Sequence, residues 1–269
     1  MNGLIENYRR SLTCGWRDGC GLVRMSPHSY YVGDSWVGVV LILTEEGIVM
    51  IDSGITGQMW MIFEAIRRLG YDPERDIKLC LLSHAHCDHC SGMALLQNYA
   101  KPLVYMSEQE KDWPGKKPCY AGLPETLNPV TPFAADRFYD GSPVVHGGLT
   151  IETVHTPGHS PGTTSFFFRD TADDGTIYRV GLHGGLGLNT LEDSFFESIG
   201  QARKAREIYK QSQQALLELP VDITISNHGG NIALMDKRGL DPMDYSRFVD
   251  PGLWQSHIAA KLRQLEKRY

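Results

Sequence analysis

Apolar positions recur along the chain with two periods, and each period predicts an element. Tyr30-Tyr31-Val32 and residues 37–44 are apolar runs of strand length, Glu45-Glu46-Gly47 reads as a turn, and Ile48 to Ile51 returns as a strand, so a β-meander forms early. Residues 58–69 then place apolar side chains at 59, 62, 63, 66 and 69, the spacing of an amphipathic helix, with Gly70 as its stop. Residues 77–82 form another apolar strand, a helix is suggested near 91–99, and 103–106 is a further strand. Periodicity is lost from 107 to 136, where five prolines punctuate the chain in the manner of a binding loop or packed filler. It resumes with a strand over 148–154 and a hairpin of 164–169 and 177–182 across Asp173-Asp174-Gly175. Residues 194–218 read as helix, 221–226 as strand and 253–265 as a closing amphipathic helix.

Length and charge narrow the function classes. At 269 residues with 42% hydrophobic content the chain is long enough for one large domain or two small ones. A net charge of -6, with no basic block longer than Arg67-Arg68 or Lys116-Lys117, argues against a nucleic-acid partner. No apolar stretch approaches a membrane span and none follows the polar N-terminus as a leader would, so a cytoplasmic protein without a membrane partner is expected. Six cysteines in a reducing compartment are then expected as free thiols. Nothing in the sequence sets an oligomeric state.

Candidate chemistry concentrates in Ser83-His84-Ala85-His86-Cys87-Asp88-His89-Cys90, directly after the strand at 77–82. In an extended segment His84, His86 and Asp88 continue a period of two and share a side, whereas a helix would turn His86 away from the other two. His89 breaks the alternation and joins the cluster only if the chain turns there. Imidazole and carboxylate together suit zinc, with iron or manganese as lesser alternatives. Histidine follows two further strands. His159 lies in the sharp turn His155-Thr156-Pro157-Gly158-His159 and is the next candidate ligand, while His155 precedes the turn and reads as a supporting or packed side chain. His228 follows the strand at 221–226; His257, in the last helix, reads as solvated.

The order and spacing of His84-Ala85-His86-Cys87-Asp88-His89, Thr156-Pro157-Gly158-His159 and Ser226-Asn227-His228 resemble the metallo-β-lactamase superfamily, and Ile51-Asp52-Ser53-Gly54 matches its early signature. Tyr31-Val32-Gly33, residues 156–164 and the helix before Val221 look most like the β-lactamase subclass whose second zinc site lacks cysteine. The resemblance implies an α/β fold, the αββα sandwich of two mixed sheets flanked by helices, as a single domain over 1–269 with its core at about 30–265.

Carried over residue by residue, the resemblance implies two zinc ions. His84, His86 and His159 would hold one, and Asp88, His89 and His228 the other, with a water or hydroxide between them. Asp88 would also orient that water and is the expected catalytic residue. The implied activity is hydrolysis of a small-molecule amide, lactam, lactone or other ester, β-lactamase-like in its extreme form, with no organic cofactor. The alternative is a metal-binding relative without turnover. Structural zinc sites are closed by four ligands, and six divided three and three leave positions open for water and substrate, which favours the enzyme. A di-iron redox relative would add a carboxylate ligand and a flavin domain that this chain lacks. Glyoxalase II and the RNA-processing nucleases carry a bridging aspartate after the strand matching 178–182, where Gly184-Gly185 stands here. The lactamase subclass carries serines in that region that anchor a substrate carboxylate. This chain has Gly185 and Gly187, so Gly185→Ser is expected to restore an anchor.

Overall fold

The strands of the early meander are apolar on both faces because both faces are covered. The computed structural model describes residues 2–114, 130–199 and 204–269. Its first half runs α1 (Asn2–Cys14), β1 (Gly19–Arg24), β2 (Ser29–Asp34), β3 (Gly38–Thr44), β4 (Gly47–Ile51), α2 (Met59–Arg68) and β5 (Ile77–Leu81). It continues with α3 (Cys87–Cys90), α4 (Met93–Tyr99), β6 (Leu103–Met106) and β7 (Arg137–Phe138). These strands form one seven-stranded sheet in sequence order, antiparallel from β1 to β4 and parallel from β4 to β7.

The second half comprises β8 (Val144–His146), β9 (Leu149–His155), β10 (Thr164–Thr171), β11 (Ile177–Leu182), α5 (Asp193–Ile199), α6 (Ala205–Leu217), β12 (Ile223–Ile225), α7 (Leu234–Lys237) and α8 (Leu253–Arg268). Its sheet has the order β12-β11-β10-β9-β8, with only the β11–β12 pair parallel.

Alternation along the strands assigns each face to a layer. On β3 and β4, Val39, Leu41, Ile48 and Met50 pack with Ile62 and Ile66 of α2, while Val40, Ile42, Val49 and Ile51 meet Phe166, Phe168, Val180 and Ile225 of the other sheet. On β10, Phe167 points the other way, against Leu216 of α6 and Trp254 of α8. Four layers result, helix, sheet, sheet, helix, which is the expected αββα sandwich. Each fully buried aliphatic side chain contributes about 1.5–3 kcal/mol, so packing rather than the weak helix propensity of Ile62 and Ile66 decides that α2 forms. The helix stops as its sequence implies. Gly70 adopts φ 87, its N–H donates to Arg67 O at 3.0 Å, and Tyr71 N–H donates to Ile66 O at 3.1 Å.

Some elements depart from the sequence reading. α1, β1, β7 and β8 were not expected; β7 and β8 are only two and three residues long, and β1 carries Gly21 at φ 71 beside a register shift. The expected helix over 194–218 is described as α5 and α6, with residues 200–203 outside the described set. Of the aperiodic stretch, residues 115–129 also lie outside it. Cys14, Cys20, Cys80 and Cys90 are free thiols, whereas Cys87 is disulfide-bonded, contrary to the expectation of free thiols throughout. Bonding requires Cβ atoms to meet in space, which spacing along the chain does not reveal. Among the described residues no helix is long and apolar enough to cross a membrane.

Candidate metal centre

The parallel pairs β4–β5 and β11–β12 bring their carboxyl ends to one edge of the sandwich, and β9 runs in the same direction as β11. Asp52 follows β4, His84 and His86 follow β5, His159 lies in the turn after β9, His183 follows β11 and His228 follows β12. Two ligand loops are tied directly, Thr164 N–H donating to Ser83 O at 2.8 Å. The structure thus gathers all six side chains singled out from sequence. They form two groups, His84 with His86 and His159, and Asp88 with His89 and His228, and within each the nearest ligand atoms lie within 4.8 Å of one another.

Asp88 reaches its place by a different route from the one expected. His86 has extended backbone, φ -73 and ψ 150, but helix α3 begins at Cys87, so Asp88 does not continue the alternation of His84 and His86. One helical turn instead throws Asp88 and His89 toward His228. His155 does not join either group. It is exposed, and its Nε2 meets Pro161 O at 2.8 Å, bracing the His159 turn. His257 lies on α8, away from both groups.

Hydrogen bonds fix which nitrogen each ring presents. His228 Nδ1 donates to Trp36 O at 3.0 Å and His159 Nδ1 to Gly187 O at 2.9 Å; a carbonyl can only accept, so in the neutral rings both Nε2 atoms carry lone pairs. His84 Nδ1 lies 2.9 Å from Ser83 Oγ, which itself donates to Asp52 Oδ2 at 2.7 Å. His89 Nδ1 lies 2.6 Å from the same Asp52 oxygen. Asp52 was not assigned a role from sequence. It is fully buried, adopts φ 63, accepts Ser83 N–H at 2.6 Å and is also bonded by the Asn227 amide. A left-handed aspartate costs on the order of 1 kcal/mol or more, and these bonds hold it there.

Glu110 was missed as well. Its carboxylate is fully buried, accepting Ala85 N–H at 2.6 Å and Gly162 N–H at 2.8 Å, and so clamps the His84–His86 segment to the His159 turn. Burial raises its pKa, and the Ser160, Gly162 and Ala85 hydrogen bonds oppose that rise. No signal marked it, since it lies where periodicity is lost.

The residues fit a metal ion. A tetrahedral ion with bonds of about 2.0–2.1 Å sets its ligand atoms about 3.3 Å apart. His86 Nδ1 and His159 Nε2 are 3.1 Å apart, and so are His89 Nε2 and His228 Nε2. Asp88 Oδ2 lies 3.7 Å from His89 Nε2 and 3.4 Å from His228 Nε2. His84 Nε2 is buried with no hydrogen-bond partner, an orphaned lone pair that a cation would satisfy. Burial, reinforced by the neighbouring imidazoles, holds His84 and His86 well below the usual histidine pKa, and burial takes His159 to about 4. Burial also lowers His228. His89 is the exception. Burial works against its charged form, but the Asp88 and Asp52 carboxylates outweigh it and raise the pKa. Imidazoles and a carboxylate converging in two triads are a donor set that suits a divalent metal.

The glycines after β11 have a steric reason. A Cβ at Gly185 would stand 2.4 Å from His159 Cδ2, and one at Gly187 would stand 2.6 Å from Asn189 Oδ1 and 3.0 Å from His159 Cε1. The expectation that Gly185→Ser restores an anchor is therefore corrected, because the space a serine would need is filled by the His159 ring.

Comparison with known proteins agrees with this geometry. The family model described as the metallo-beta-lactamase superfamily matches residues 31–171. A probable metallo-hydrolase of Bacillus subtilis is 26% identical over 214 residues, 78% of this chain and 93% of that protein. An N-acyl homoserine lactonase of Agrobacterium fabrum is 34% identical over 119 residues, 39% of this chain and 41% of the lactonase. The native metallo-β-lactamase of Legionella gormanii superposes with a TM-score of 0.79 at 26% identity, over 92% of this chain and 95% of that one.

Proposed function

The chain belongs to the metallo-β-lactamase superfamily, a hydrolase with a metal-binding site, and on that premise we propose that it is a binuclear zinc hydrolase of a small-molecule amide, lactam, lactone or other ester. His84, His86 and His159 hold one ion; Asp88, His89 and His228 hold the other. The observation that carries the reading is the convergence of these six side chains into two separate triads. Three protein ligands per ion leave coordination open, as catalytic sites do and closed structural sites do not.

Zinc, when bound, supplies Lewis acidity and lowers the pKa of its water toward about 7, so that hydroxide is available at neutral pH to attack a carbonyl. The chain's own residues do the remaining work. Asp88 orients the attacking water and accepts its proton on a carboxylate oxygen. Asp52 keeps a proton on His89 Nδ1 and, through Ser83 Oγ, fixes the His84 ring, so both Nε2 lone pairs stay directed inward. The Trp36 and Gly187 carbonyls do the same for His228 and His159. Trp113 and Phe195 stand with ring centroids 6.2 Å from the His86 ring and shield that side of the centre from water.

A turnover screen of the zinc-loaded protein on a β-lactam, an N-acyl homoserine lactone and a simple aryl ester tests the reading. Hydrolysis of at least one, abolished by a chelator and restored by zinc, is expected. Turnover that survives complete removal of metal contradicts it.

A further inference from the structure

Residues 34–38, at the turn between β2 and β3, grip the His228 segment at three consecutive positions. Gly38 N–H donates to Asn227 O at 2.8 Å, and Trp36 O accepts from His228 Nδ1 at 3.0 Å. A Cβ at Gly229 would stand 2.9 Å from Ser35 O, so glycine lets the two backbones close on each other. The Trp36 ring also lies 5.8 Å from the His228 ring, centroid to centroid. Where this turn sits therefore decides where His228 points.

Asp34 shapes the turn. Its side chain is buried, and Oδ1 accepts the N–H groups of Trp36 and Val37, each at 2.9 Å. The Val37 N–H and the Trp36 C=O belong to one peptide unit, which is planar and trans, so the two groups point in opposite directions. Holding the N–H on Asp34 aims the carbonyl at His228 Nδ1. A charged acceptor on the N–H also polarises the peptide, which strengthens its carbonyl as an acceptor on the other side. The chain of bonds runs from Asp34 through one peptide to the imidazole, whose Nε2 lies 3.4 Å from Asp88 Oδ2 and 3.1 Å from His89 Nε2.

A buried carboxylate is costly unless its lone pairs are met, and α1 meets the other oxygen. The Ser11 hydroxyl donates to Asp34 Oδ2. The rest of the N-terminal segment packs on the same turn, with Ser35 N–H donating to Asp18 O at 2.9 Å and Tyr8 meeting the Trp36 ring edge-on at 6.3 Å. The docking of α1 is close, since a Cβ at Gly57 would stand 2.5 Å from Leu12 O. The other triad draws its support from elsewhere, His84 from Ser83, the His84–His86 segment from Glu110 and His159 from Gly187 O.

We propose that Asp34 is a positioning residue for the ion assigned to Asp88, His89 and His228, and that α1 braces it through Ser11. The N-terminal helix thereby takes part in loading one metal position and leaves the other independent of it. This deepens the binuclear reading and rests on it.

The test reads zinc affinity one triad at a time. His84→Ala leaves the Asp88, His89 and His228 triad intact, and His228→Ala leaves the other; each protein is titrated with zinc in competition with a graded series of chelators. Adding Asp34→Ala to His84→Ala should weaken zinc binding about ten- to a hundredfold, the usual effect of losing a group that orients a ligand. Adding it to His228→Ala should change nothing. Asp34→Asn keeps an oxygen for both N–H donors and should retain most of the affinity. Ser11→Ala removes only the brace, should weaken the same triad about two- to tenfold, and gives a reading even where Asp34→Ala does not fold. Equal weakening of both triads overturns the proposal, because Asp34 would then support the fold in general. Unchanged affinity in the His84→Ala background overturns it too, as does a loss in Asp34→Asn as large as in Asp34→Ala. A parent protein that does not hold two zinc ions is a separate result, in which the binuclear reading fails first and the proposal with it.

Discussion

Asp52 Oδ2 lies 2.6 Å from His89 Nδ1 and 2.7 Å from the Ser83 hydroxyl that supports His84, so one buried carboxylate orients a histidine in each metal triad. Groups that orient metal ligands are typically worth ten- to a hundredfold in metal affinity. Asp52→Asn tolerates the left-handed backbone but replaces one oxygen with an N–H donor. It should weaken metal binding about ten- to a hundredfold in competition with a graded series of chelators. An unchanged affinity would remove Asp52 from the account.

Glu110 makes a second prediction. Glu110→Ala leaves the amides of Ala85 and Gly162 without their acceptor, each unmet buried donor costing about 1–3 kcal/mol. Denaturant unfolding of the metal-free protein should show a loss of about 2 kcal/mol or more. A variant as stable as the parent would mean that the two loops do not depend on the clamp.

A third prediction follows from the His159 ring packed on glycine. Gly185→Ser should displace that ring and lower metal content, rather than install a substrate anchor. Zinc analysis of the purified variant decides between the two. Full metal content together with improved β-lactam hydrolysis would restore the expectation drawn from sequence alone.

That these six side chains gather was legible in the sequence, because the histidines among them recur in loops that follow apolar strands in a familiar order and spacing. The layer architecture followed from the motif resemblance, and the doubly apolar β3 and β4 now give it a physical reason. What stayed hidden depends on contacts between distant segments. Asp52 and Glu110 act on residues 31 and 25 positions away through hydrogen bonds that no local period encodes. The placement of Asp88 was misread for a related reason. Alternation was extended past His86, where the chain had already turned into α3.

Asp88 should affect rate more than metal. In Asp88→Asn an amide oxygen can still coordinate weakly but cannot take up the water's proton. Turnover per bound zinc should fall about a hundredfold or more. Unchanged turnover per zinc would reduce Asp88 to a ligand alone.

Metal stoichiometry tests the central claim most directly. Elemental analysis of the metal-replete protein should give about two zinc ions per chain, and His84→Ala and His228→Ala should each lose about one, since each breaks a different triad. Trace metal in the parent protein, or both variants retaining as much zinc as the parent, would contradict the binuclear centre and the hydrolase built on it.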